Sequence, residues 1–440
     1  ESEYVNLFDQ APPRYRSTDD RGVRAREDYE AVRGASFSGE FVQALDAWLQ
    51  DRGIDLRLQA HGGYADALDT YALADVPESE GLYAGGSYDF PRLAASSAQV
   101  AGKRFVSSET LVSVGAAELT LDEARLVIGR AFSAGINRLM LHGHAYPYLH
   151  TDGQRWFPFR PRQDSAVTTG PLDLSFDLNP EAAIWVELPA LNRMMTRASY
   201  ALSRGAAVTE VAWLHPERQV ENFPNLGVEP RRFESDISKS LRAAGLSYTR
   251  VSLSALAAAS SEDGALRIGE AVFQALLVAD LHAVDPKVLS AVDEAVDAGV
   301  PVIWFGDFPR RADGLVNAES RDATVAALVE SLRSRVRVAS SVEEVPREAL
   351  DAGVAPSLAP ISSRGLALSV ARRQVTGGDV YYLFNESYEQ VTEQLRIVSR
   401  FASATLLDPD TGEQVPTAIE GNVLSVTLGP ARGVVLSVER

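Results

Sequence analysis

The sequence predicts an α/β protein in three segments. These are the C-terminal half of a (β/α)8 barrel over 1–205, a second α/β domain over 206–350 and a small β-sandwich over 351–440. Three observations predict it. Between about Tyr29 and Gly205, runs with helical apolar spacing alternate with short apolar runs, the mark of a parallel sheet. From Val208 that alternation restarts. From about Gly365 the chain turns to short β-branched runs with turns at regular intervals, the signature of a sandwich.

Composition bounds the chemistry. A chain of 440 residues with 45% hydrophobic content is long enough for two or three cored domains. Its formal net charge of -18 argues against a nucleic-acid partner or an anionic membrane surface. There is no cysteine, which excludes disulfide scaffolds, thiolate nucleophiles and Cys-ligated zinc. No apolar run approaches a membrane span and no signal peptide opens the chain, so a cytoplasmic or an exported location both stay open.

In the first segment, Ser38 is expected to cap a helix with Phe41, Leu45, Trp48 and Leu49 at helical spacing, ending at Gly53. Leu56–His61 reads as a strand, Tyr64–Tyr71 as a helix, and Ala72–Val76 as a strand that breaks at Glu78 and Glu80. Ala94–Ala101 is helical, and Lys103–Ser108 is a strand ending at Glu109. Leu121–Ala134 is an amphipathic helix stopped by Gly135. Asn137–Leu141 is the last strand, running into His142-Gly143-His144, and a helix over Pro189–Ser203 closes the segment at Gly205. Four βα units are half of what a closed barrel needs. Because the sequence begins at Glu1 rather than Met, the other half is expected in an upstream segment or a second chain; an open α/β sheet is the alternative.

In the second segment, strands are expected at Val208–Leu214, Ser247–Val251, Phe273–Val278 and Val300–Phe305. Arg232–Ala244 and Pro286–Ala298 read as helices, the latter ended by Gly299, and Ala255–Gly264 as a small-residue loop. The layer resembles a flavodoxin- or amidotransferase-like domain, but without cysteine it has no glutaminase nucleophile. No glycine-rich phosphate loop precedes a helix near Gly306-Asp307. In the tail, strands are expected at Leu366–Val370, Val380–Phe384, Gln394–Val398, Ala404–Leu407, Val423–Leu428 and Val434–Val438. Asp408–Gly412 reads as a hairpin turn, since it lacks the ligand series of a calcium loop.

Position singles out the candidate site residues. A glutamate in a loop is ordinarily a solvated charge. Glu78, Glu80 and Glu109 instead follow apolar strands directly, where barrel enzymes place their chemistry, and glycoside hydrolysis needs paired carboxylates. His61, His142 and His144 stand at the ends of the first and fourth strands, with Tyr146, Tyr148 and Trp156 close behind. Sugars offer apolar ring faces to aromatics and hydroxyls to imidazoles and carboxylates. The carboxylates favour a hard cation such as calcium over a three-histidine metal site. No serine sits in a nucleophile elbow.

Ile136 to Pro147, I-N-R-L-M-L-H-G-H-A-Y-P, resembles the G-(I/V)-N-x-x-x-x-H-G-x-x-Y stretch of glycoside hydrolase family 106, the α-L-rhamnosidases. Asp75 to Glu80 resembles that family's D-(I/V)-P-E-x-E, and Ser108-Glu109 its strand-end S/A-E. Trp156–Phe159, the stretch from Asn179 through Trp185 to Pro189, and the helix from Leu191 to Gly205 resemble the family's segments downstream of that histidine stretch. The resemblance implies a glycosidase acting on rhamnosides from the chain end with inversion, with two glutamates and a calcium ion near the sugar. Glu109 would be the base that activates water, and Glu78 and Glu80 would bind metal or sugar. His61, His142, His144, Tyr146, Trp156 and Trp185 would contact the substrate. In a complete chain Glu80 is the candidate acid opposite Glu109. Family members are much longer, and otherwise the acid lies on a strand outside this sequence. A non-catalytic carbohydrate-binding or assembly subunit, completed by a partner chain, is the alternative function.

Overall fold

The computed structural model describes residues 19–81, 88–112, 119–142, 176, 178, 180, 183–215, 234–416 and 418–440. The chain divides into two compact units. Unit 1 is Glu1–Asp75, Val211–Glu221 and Arg250–Val354; unit 2 is Val76–Glu210, Asn222–Thr249 and Ala355–Arg440.

Asp19 opens α1 (Asp20–Ser36) by accepting a hydrogen bond from the Gly22 N–H at 2.7 Å. Ser38 is therefore not a cap. The helix runs on through a π-helical stretch, Phe37–Gln43, into α2 (Ala44–Gln50). The wider π turns rotate the apolar stripe. Val42, Leu45 and Leu49 thus pack with Leu56 and Ala74, while Phe41 and Trp48 stay more than half exposed. Next come β1 (Arg57–Leu58), α3 (Ala67–Leu73), β2 (Val76–Glu80), α4 (Asp89–Val100), β3 (Ser107–Thr110), α5 (Leu121–Ser133), β4 (Arg138–Leu141) and α6 (Leu188–Leu202). This is the expected alternation. Thr120 and Glu123 form a capping box on α5, whose end is turned by Gly135 at φ +104°.

The boundaries at the glutamates differ from expectation. β2 and β3 run through them instead of stopping before them, because the ladder pairs Glu78 with Ser107 and Glu80 with Glu109. Backbone pairing does not require apolar side chains, so a polar strand end is invisible to a hydrophobicity reading.

The chain continues as β5 (Ala206–Ala207), β6 (Val211–Leu214), α7 (Asp236–Ala243), β7 (Tyr248–Val251), α8 (Leu253–Ala257), β8 (Ser260–Glu262), β9 (Ala265–Ile268), β10 (Ala271–Phe273) and β11 (Ala275–Ala279). After these come α9 (Pro286–Asp297), β12 (Val302–Phe305), α10 (Ala318–Arg333) and β13 (Arg337–Ala339). Ala255–Gly264 is thus not a loop. Ser252 caps α8, and the Asp263-Gly264 pair, both at positive φ, turns the hairpin from β8 to β9.

In unit 1, β6, β11, β12 and β13 form a parallel sheet in that order. His215, just past β6, donates its backbone N–H to Val251 at 2.8 Å. Burial and nearby Arg250 push its imidazole down to about 3, so it is neutral. α1 is tied to the 311–322 region by ion pairs. Buried Arg24 donates to the Ala312 carbonyl and to both Asp322 oxygens, and Arg311 makes a two-pronged contact with Glu27.

Burial alone would raise the Glu27 and Asp322 pKa values. Arginine and backbone N–H hydrogen bonds outweigh it, and both are held below the usual carboxylate range. A depressed folded-state pKa gives stability present above the unfolded value and lost as pH falls. Melting temperature against pH should show this: Arg311→Gln melts lower than wild type near neutrality, and the gap closes as pH falls below about 4. A gap independent of pH would contradict the ion-pair account.

In unit 2, β2, β3 and β4 form a parallel ladder. The remaining strands are β14 (Leu358–Pro360), β15 (Ser369–Val375), β16 (Gly378–Phe384), β17 (Val391–Ile397), β18 (Ser403–Leu407), β19 (Gln414–Val415), β20 (Ala418–Glu420), β21 (Val423–Leu428) and β22 (Gly433–Glu439). They make two antiparallel sheets, ordered β14-β17-β21-β20 and β19-β18-β22-β16-β15-β5. Leucines and valines of both share one core, including Leu383, Leu395, Leu424 and Leu436. The strand expected at Leu366–Val370 starts later, because Arg372 and Arg373 pair in the ladder where an apolar run was sought.

The outer face of β16 meets α5 and α6 in a second core that includes Phe132, Leu191, Tyr382 and Phe384. A Cβ on Gly129 of α5 would overlap the buried Phe384 ring. Helix propensity favours Gly129→Ala by about 0.5–1 kcal/mol, whereas overpacking costs about 1–3 kcal/mol. Sterics should win, and urea unfolding should show Gly129→Ala destabilised. A gain in stability would refute this packing.

Candidate active site

In a parallel ladder, alternate residues share a face. The register Glu78↔Ser107, Glu80↔Glu109 and Glu109↔Met140 therefore puts Glu78, Glu80, Ser107, Glu109 and His142 on one face. Glu80 and Glu109 are direct neighbours across the ladder, with backbones about 4.8 Å apart. They stand side by side, not opposite each other.

The row is graded in burial. Glu78 is 6% exposed and accepts a hydrogen bond from the Ser107 hydroxyl at 2.6 Å. Glu109 is half-buried, and its Oε1 lies 3.6 Å from His142 Nε2. That separation exceeds a direct hydrogen bond, although such contacts are often long until substrate closes the site. His142 is fixed from behind by its backbone N–H, which donates to the Thr110 carbonyl at 2.8 Å. Ser107 escaped the sequence reading because a serine before an S-E pair carries no signal; only its register opposite Glu78 gives it one.

Several motif residues prove to be structural. Asn137 accepts from the Val106 N–H at 3.0 Å and donates to the carbonyls of Arg104 and Leu202, tying β3, β4 and the end of α6 together. Asp75 accepts from the Leu56 N–H and Gln50, which fixes the entry to β1. Arg197 donates to the carbonyls of Pro409 and Asp410 and so holds the hairpin turn at 408–412.

The other expected contacts divide. His61 lies in unit 1, where its Nδ1 pairs with the buried Tyr71 hydroxyl at 2.9 Å. Trp185 is 43% exposed on a short 3-10 turn, Ala183–Val186, and no described contact links it to the glutamates. His144, Tyr146 and Trp156 lie outside the described residues. Among the described residues, no group of three or more histidines, aspartates or glutamates is placed to hold a metal. Calcium takes six to eight oxygens, so these residues alone do not fit it. Nor is any described helix long and apolar enough to cross a membrane.

A parallel α/β layer with adjoining carboxylates and an imidazole at its strand ends has the make-up of a glycosidase site. Residues 20–420 match glycoside hydrolase family 106, described as alpha-L-rhamnosidase, and the chain belongs to that family. No curated protein sequence matches it.

Among solved structures, a rhamnosidase from Novosphingobium sp. PP1Y is similar with TM-score 0.73 at 16% identity, over 96% of this chain and 40% of that one. A β-galactosidase from Bacillus circulans sp. alkalophilus has TM-score 0.60 at 11% identity, over 98% of this chain and 70% of that one. A β-galactosidase from Rahnella sp. R3 has TM-score 0.58 at 10% identity, over 96% and 69%. At these identities the likeness is one of fold. This chain spans 40% of the rhamnosidase's length.

Proposed function

We propose that the whole protein is an exo-acting, inverting α-L-rhamnosidase, and that this chain supplies the wall of its site bearing Glu109. The observation that carries this reading is the placement of Glu109, in register with Glu80 and beside His142. Glu109 takes the proton from the attacking water, and His142 orients that carboxylate. Glu80 accepts hydrogen bonds from sugar hydroxyls. Glu78, buried on Ser107, stiffens the base of the row.

Side-by-side placement makes Glu80 unsuited to the acid role. An inverting pair flanks both sugar and water, at about 6.5–9.5 Å. The acid therefore comes from a residue other than Glu80, on the far side of the sugar. Calcium at Glu78 and Glu80 would need ligands beyond the described residues, and no step here runs through it.

The βα alternation supports reading 1–205 as the C-terminal half of a (β/α)8 barrel. The parallel sheet within 206–350 supports a flavodoxin- or amidotransferase-like domain, and the two antiparallel sheets, built from 351–440 with β5 added at one edge, support a β-sandwich.

Replacing Glu109 with Gln keeps the shape and removes the base. In the whole protein, Glu109→Gln should lower kcat on an aryl α-L-rhamnoside about 10²–10⁴-fold with an unchanged melting temperature. Proton NMR of the wild-type reaction should show β-rhamnose forming first. Near-normal turnover by the variant, or α-rhamnose forming first, would contradict the mechanism.

A further inference from the structure

A second site stands out in unit 1. A cavity of about 640 Å³ opens between α1, the start of α3 and the Leu253-Ser254 turn, and it shares no residue with the strand-end glutamates. Part of the wall is apolar and small, Ala31 and Ala35 of α1 with Ala65, while the same helix also contributes Arg26, Glu27 and Glu30. Gly34 brings the helix this close, since a Cβ there would lie 3.1 Å from the Ala65 backbone. Another side carries Tyr64, Asp66 and Asp69.

The lining argues against a cation. Asp66 accepts from the Leu68 and Asp69 N–H groups at the start of α3. Asp69 accepts from the hydroxyls of Ser252 and Ser254. Glu27, also on the wall, is neutralised by Arg311. An ionised carboxylate has about four lone-pair sites, and Asp69 already takes two hydroxyl donors, the kind of partner a sugar offers. Carboxylates that accept from hydroxyls beside a small apolar strip match what a sugar offers, hydroxyl donors and an apolar ring face.

A separate observation points the same way. Tyr64 is 55% exposed, and beside it Phe37 packs edge-on at 6.0 Å while Phe41 stands 56% exposed. Of these rings Tyr64 lines the cavity itself, and an exposed aromatic on the wall of a polar cavity suits a binding surface.

We propose that this cavity is a saccharide-binding site distinct from the hydrolytic one, taking a neutral mono- or disaccharide. The choice of ligand class rests on the carbohydrate reading of the family; the cavity itself does not.

Calorimetric titration of the Glu109→Gln whole protein with L-rhamnose and with rutinose tests it. Two sites per chain are expected. Ala35→Trp, an exposed helical position facing the cavity, should remove one site, while Ala35→Ser keeps both. Ala31→Phe repeats the test should Ala35→Trp melt early. Ala35→Trp in the otherwise unchanged protein should still hydrolyse an aryl rhamnoside at the wild-type rate. If the hydrolytic reading fails, a single site that Ala35→Trp abolishes still supports the cavity. A single site indifferent to both plugs, or no binding at all, overturns the proposal.

Discussion

The site depends on the parallel register of β2, β3 and β4. Side chains alternate along a strand, so a slip of one residue would turn every glutamate to the other face. In the observed register Glu80 meets Glu109, and Glu78 meets Ser107. Carboxylates placed this close repel one another, and the row tolerates it by dividing their surroundings. Glu78 is buried against a hydroxyl donor, while Glu109 stays half open beside an imidazole.

Register needs anchors, and the motif residues outside the site supply them. Asn137 satisfies backbone groups of Val106, Arg104 and Leu202 with one side chain, so β3 and β4 cannot slide past each other without orphaning buried polar groups. Gly135 turns the end of α5 so that β4 starts in phase. A sequence motif that looks catalytic as a block is therefore split between chemistry and alignment. Glu109 and His142 face the site, while Gly135 and Asn137 make them arrive there.

Much of this was legible because its causes are local. Gly53, Gly135, Gly205 and Gly299 each end a helix with positive φ, as their places after apolar helical stripes foretell. The strands Val302–Phe305 and Val423–Leu428 announce themselves by apolar and β-branched runs. What escaped depends on partners distant in sequence. Strand ends made of Glu and Ser are held by pairing, not by hydrophobicity. The π-helical turn after Ser36 shifts a stripe that a regular period would place elsewhere. Ser107 gains meaning only opposite Glu78, and Asp66 and Asp69 only across a cavity from α1.

The most direct measurement is a double-mutant cycle between Glu80 and Glu109, read as kcat/KM of the whole protein on an aryl α-L-rhamnoside. Neighbouring side chains on one wall should be coupled by about 0.5–3 kcal/mol, so that Glu80→Gln costs much less once Glu109 is already Gln. Additivity within about 0.3–0.5 kcal/mol would mean that the two carboxylates act independently, and would contradict the side-by-side register at the centre of this account.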